Sequence, residues 1–225
     1  MRKLPLVMLS STICFWPSAV AQQTYAPPEV TSAGDAYTPY NVVFDGLFVL
    51  DIGLGNEGDI RRIDALRDPG SMLGAAKTSV RTWKFQPASE GGGKPRASRL
   101  TVAFLYRPAN YGDAGPVPPK DFAPVIPPAQ SDDGSDDYVP VGILAFTYPD
   151  YPVNSVGWGS VLVQVTVDSA GDIKDVNLLH GVATFNSFAR EALKKWRFRA
   201  AKLRGKPVTS KIVVAFIFQS PYTGN

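Results

Sequence analysis

Apolar residues recur along this chain with two clear periods. Val161, Val163, Val165 and Val167 alternate with Ser160, Leu162, Gln164 and Thr166, the period of two expected of a strand with one face turned inward. The segment 168–171 (Asp-Ser-Ala-Gly) is a turn, because its glycine accepts positive φ, and a second strand is expected over 173–179. Phe185, Phe188, Ala189, Ala192, Leu193 and Trp196 then recur at spacings of three and four, one face of a helix for which Asn186 is a candidate N-cap. A loop at Gly205-Lys206-Pro207 precedes a long β-rich run, Val208 to Gln219.

The same order occurs earlier. Shifted by 113 positions, Pro39 to Ala88 aligns without a gap onto Pro152 to Ala201. One extra residue after Ala88 changes the shift to 112, and the match continues from Lys94-Pro95 to Tyr106 against Phe218. About 18 of roughly 63 aligned positions are identical, among them Gly46/Gly159, Trp83/Trp196, Phe85/Phe198 and Val102-Ala103-Phe104/Val214-Ala215-Phe216. Phe48, Leu50, Ile52 and Leu54 hold the face that the four valines hold in the second copy.

The expected fold is therefore α+β. It consists of two small β-β-α-β modules, each a three-stranded antiparallel-type sheet with one helix on a face. Trp83, Phe85, Trp196 and Phe198 are expected in the cores, at the end of each helix's apolar face. A right-handed crossover into the third strand puts the first strand in the middle and leaves the last strand on an edge. That edge has only Lys211 as a charge and invites strand addition by a partner, unless the other module or the linker covers it.

The organisation read from these patterns is a signal peptide at 1–21, an extension at 22–38, a first module at 39–108, a spacer at 109–140 and a second module at 141–225. Arg2 and Lys3 precede a short apolar stretch broken by Pro5 and Ser10-Ser11-Thr12, and Ala19-Val20-Ala21 is a cleavage pattern, so export to the periplasm with no stable transmembrane anchor is expected. Cleavage removes Cys14, the only cysteine. The spacer is rich in proline and carries Asp132-Asp133-Gly134-Ser135-Asp136-Asp137, which lacks the ligand spacing of a calcium loop.

Charge and candidate chemistry narrow the function. A formal net charge of +3, nearly cancelled once Arg2 and Lys3 are removed, argues against a nucleic-acid partner. His180 is the sole histidine, which excludes a zinc cluster built on histidines and any His-based triad. Gly53-x-Gly55-x-x-Gly58 follows a strand but precedes another strand, so it is a hairpin turn rather than a dinucleotide site. Asp172 and Asp175 sit on a hairpin with no second constellation beside them. No cofactor is implied, and the chain is not expected to be an enzyme.

Pro149-Asp150-Tyr151-Pro152, Gly159 with its valine ladder, Gly171-Asp172-Ile173, Lys195-Trp196-Arg197-Phe198 and Gly205-Lys206-Pro207-Val208 together resemble the C-terminal domain of TonB, and more loosely that of TolA. The first copy looks like a divergent member, with Thr38 in place of the tyrosine of the Tyr-Pro pair. The resemblance implies a protein partner, of outer-membrane receptor type, whose extended peptide meets Tyr148, Pro149, Tyr151 and Pro152. On the last strand it implies contact with Thr209, Lys211, Val213, Ala215, Ile217 and Gln219. The family's glutamine before Pro-x-Tyr-Pro is Tyr148 here, and with a cleavable N-terminus and no histidine before His180 no counterpart of TonB's membrane-anchored coupling helix is expected. The other arrangement that the edge permits is structural: modules paired edge to edge, within the chain or as a homodimer, with no exchangeable peptide.

Overall fold

The computed structural model describes residues 25–36, 44–68, 70, 72–108, 122–129, 137–152 and 157–219. The signal-peptide segment 1–21 and most of the spacer lie outside the described residues. The first half runs β1 (Glu29–Ser32), β2 (Gly46–Leu54), β3 (Ile60–Arg67), α1 (Leu73–Arg81), β4 (Lys84–Gln86), β5 (Ala88–Glu90), β6 (Lys94–Arg96) and β7 (Ser98–Pro108). The second runs β8 (Tyr138–Val139), β9 (Gly142–Ala145), β10 (Gly159–Val167), β11 (Ile173–His180), α2 (Ala183–Leu193), β12 (Arg197–Arg199), β13 (Ala201–Leu203), β14 (Lys206–Val208) and β15 (Ser210–Gln219).

Each half places its first long strand between the other two, as the crossover rule requires. The two three-stranded sheets are not separate, however. They join into one six-stranded sheet in the order β11-β10-β15-β7-β2-β3. The seam is β15 against β7, parallel, with eight register pairs from Ile212↔Thr101 to Gln219↔Pro108. The last strand is thus central, hydrogen-bonded to β10 on its other side through nine pairs. Burial explains the preference: an exposed edge as apolar as Ile212–Phe218 is an aggregation liability, and β7 covers it with an equally apolar strand.

Parallel pairing of two like modules turns them over relative to each other. α2, Trp196 and Phe198 pack with Val161, Val163, Val165 and Val167 on one face. α1 and Trp83 pack with Phe48, Leu50, Ile52 and Leu54 on the opposite face. Each layer also reaches across the seam. Leu47, Val49, Ala103 and Leu105 of the first half lie in the α2 layer, and Leu162, Val213, Ala215 and Ile217 of the second lie in the α1 layer.

The correspondence of the halves starts earlier than Pro39. β1 and β9 are separated by the same 113 positions, and each pairs with the short strand after its helix, β1 with β4 and β9 with β12. Each then forms a strap over the half it does not belong to. Val30 N–H donates to Gln164 Oε1 (2.7 Å) and Ala36 N–H to Ser160 Oγ (3.0 Å). In return, Thr101 Oγ1 donates to the Val141 carbonyl (2.7 Å) and Arg107 Nε to that of Pro149 (3.0 Å).

Two local expectations change. α2 begins at Ala183 with Val182 at the cap position, where no side chain caps it, and Asn186 lies inside the helix. Gly181 allows this, since a Cβ there would come within 2.2 Å of Asn186 Oδ1. The run Val208–Gln219 is two strands rather than one, broken at Thr209, because β14 folds back as a hairpin on β13.

Candidate interaction site

The residues that the resemblance assigns to a partner are occupied within the chain. Val213, Ala215 and Ile217 are fully buried under the α1 layer. Lys211 is half-buried, paired with Glu29 of β1, and its burial lowers the ammonium pKa. Gln219 is buried and its Oε1 accepts from the Phe44 amide (2.9 Å). Thr209 sits half-buried in the break between β14 and β15.

The Tyr148–Pro152 segment is held at the end of the seam. Tyr148 is half-buried against Phe146, with ring centroids 5.3 Å apart. Burial, and then the neighbouring Asp45 carboxylate, push its hydroxyl well above the ordinary tyrosine range. Tyr151 contacts the rings of Phe185 and Phe218, and its hydroxyl donates to the carbonyls of Gly157 and Gln219. The Arg107 guanidinium lies 5.7 Å from the Tyr151 ring centre while its Nε holds Pro149. Pro152 is half-buried beside them. Geometry therefore brings together Tyr151, Pro149 and Gln219 with Arg107, which the sequence did not single out.

Three further clusters were missed. The first is buried: Arg99 and Asp51 are both wholly inaccessible, with Arg99 Nε 3.2 and 3.0 Å from the two carboxylate oxygens. Arg99 Nη1 also donates to the Pro128 carbonyl (2.9 Å), and Arg62 approaches Asp51 at 3.4 Å. The repeat marks these positions, because Asp51 corresponds to Gln164 and Arg99 to Lys211, polar residues in otherwise apolar strands.

The second joins the hairpins of the two halves. Arg204 makes two bonds to Glu90 (2.7 and 2.9 Å), Arg96 bonds the same carboxylate (2.9 Å), and both arginines reach Asp137. They wall an open cleft of about 520 Å³. Every guanidinium nitrogen in it has a partner, so the cluster is a clasp between halves rather than an anion site. Hydrogen bonding from Arg204 first, and from Arg96, lowers the Glu90 pKa. A depressed carboxyl contributes stability above its unfolded value and loses it as pH falls through the folded one. Glu90→Gln should therefore melt below the native chain at neutral pH, with the difference closing below about pH 4.3. Thermal melts from pH 3 to 7 check this, and a gap independent of pH contradicts it.

The third cluster is the docked part of the spacer, residues 122–128. Val125 forms an antiparallel bridge with Ile143, and Phe122 meets Phe146 edge-on at 4.9 Å.

His180 pairs with Asp35 at 2.8 Å on the β11 edge, a half-exposed strap contact. Among the described residues no group of three or more acidic, His or Cys side chains could hold a metal, and no helix is long and apolar enough to cross a membrane.

Fold and site define a mixed α/β protein built on one six-stranded sheet with a helix packed on each face. Residues 145–219 match the family described as Gram-negative bacterial TonB protein C-terminal, a protein-interaction domain. No curated protein matches the chain.

Proposed function

We propose that this chain is a periplasmic protein-interaction protein of TonB C-terminal type, whose first half is a divergent second copy that closes the last strand's edge from within. The family match supports the interaction role for the second half. The observation that carries the rest is the parallel β7–β15 seam, which occupies the strand edge on which the resemblance places a receptor peptide. Signal cleavage after residue 21, a spacer over 109–140 and non-enzymatic action belong to the same reading. So does a partner of outer-membrane receptor type, which would meet surfaces other than the seam. Trp158, 72% exposed beside the Tyr151 segment, is the largest apolar side chain offered to it among the described residues.

Hydrogen exchange tests the closed edge. Amides of 211–218 should all exchange only through global unfolding, since both sides of the strand are bonded. If alternate amides exchange through local opening, the edge is available and strand addition to β15 takes the place of this reading.

A further inference from the structure

Residues 122–128 (Phe-Ala-Pro-Val-Ile-Pro-Pro) occupy a groove in the manner of an extended ligand. Val125 N–H donates to the Ile143 carbonyl and Ile143 N–H to that of Val125, both at 2.8 Å, so the segment adds a strand to the free side of β9. Val125 and Pro127 are buried while Ile126 between them is 40% exposed, the alternation of a strand lying on a surface. Phe122 stacks edge-on against Phe146, with the Arg67 guanidinium 5.2 Å from its ring centre. The Pro128 carbonyl is bound by Arg99 at 2.9 Å. Gly142 keeps the approach close, since a Cβ there would stand 3.2 Å from the Val125 carbonyl oxygen.

The corresponding place in the first half has no such vacancy. Val30 corresponds to Ile143, and its amide donates to Gln164. Asp51, which corresponds to Gln164, turns to Arg99 instead, and the Ile143 amide is left for an incoming strand.

We propose that the groove along β9 is a peptide-binding site for an extended, proline-flanked segment of a partner protein, filled in this chain by its own residues 122–128. This rests on the protein-interaction reading above and names the ligand class: an aromatic residue, an aliphatic residue three positions on, and a proline two beyond that. Prolines at 124, 127 and 128 hold the preceding residues extended, so little order is lost on binding. One bridge pair secures the segment, against eight or nine pairs along each central strand contact. The half-exposed Leu144 and Ile126 mark the rim that a longer partner would cover. Tethering gives the internal segment an effective concentration of the order of millimolar, so a separate peptide meets strong competition in the native chain.

The test uses a fluorescein-labelled peptide with the sequence of residues 122–129, titrated by anisotropy against the native chain and against Phe122→Ser/Val125→Ser. The variant should bind the peptide at least about ten-fold more tightly, because the competitor is gone. A peptide with serine at its own phenylalanine and valine should lose that binding, and a benzophenone placed at Leu144 should capture the intact one. Should the double variant not fold, Val125→Ala carries the same comparison. A folded variant that binds no better than the native chain, or capture only at sites remote from β9, overturns the proposal. The exchange pattern of 211–218 is independent of this result, so the two readings fail separately.

Discussion

Asp51→Ala lowers the stability of the whole protein by about 3–5 kcal/mol, the usual cost of stranding one partner of a buried ion pair. Arg99 is wholly inaccessible and its Nε and Nη2 both face Asp51. Without the carboxylate its charge stays in the sheet, compensated among the described residues by the carbonyls of Pro128 and Tyr138. The pair itself is a poor source of net stability, because desolvating both ions offsets most of their attraction. Asp51→Leu combined with Arg99→Met should therefore recover most of the loss. Urea unfolding of the two single variants and the double variant measures the coupling. If Asp51→Ala costs under about 1 kcal/mol, water reaches Arg99 and the buried assignment is wrong.

The same pair shows what could and could not be read from the sequence. The β-β-α-β order, the faces of β2 and β10 and the large aromatics were legible, because period-two and three-four spacings depend only on local geometry. The polar members of the alternation were less informative. Ser160, Gln164 and Thr166 mark the other face of the strand without saying what lies on it, and the structure buries Ser160 and Gln164 under the first half's strap. A residue that bonds a strap and one that bonds water look alike in a single strand. The seam was legible only as an alternative, since an apolar edge says that it needs covering and not by what. The correspondence of β1 with β9 was missed because backbone pairing, not side-chain identity, carries it. Of the candidate site, the Tyr148–Pro152 segment was found by resemblance. The groove along β9 was not, because residues 122–128 read as spacer until Val125 is seen bonded to Ile143.

A core shared across the seam has a consequence for cooperativity, and Trp196→Ala displays it. Trp196 is 1% exposed, lies 5.8 Å from Phe216 and 5.9 Å from Phe146, and donates its indole N–H to the Thr147 carbonyl at 3.0 Å. Truncating so large a buried ring costs about 3–5 kcal/mol, and the lost hydrogen bond leaves the Thr147 carbonyl to find water. For a domain of this size that corresponds to a fall in melting temperature of roughly 6–20 °C. Were the halves independent, only the second would be affected. The α2 layer, however, also buries Leu47, Val49, Ala103 and Leu105 of the first half, and β7 and β15 lose their common hydrogen bonds together. With the exposed Trp158 replaced by phenylalanine in both chains, Trp83, buried in the opposite layer, is the reporter: its emission should change at the same lowered temperature as the far-ultraviolet circular dichroism of the whole chain. A Trp83 transition that stays at the native temperature while half of the dichroism is lost earlier would mean two separable modules, and the seam would then be a contact between domains rather than the centre of one sheet.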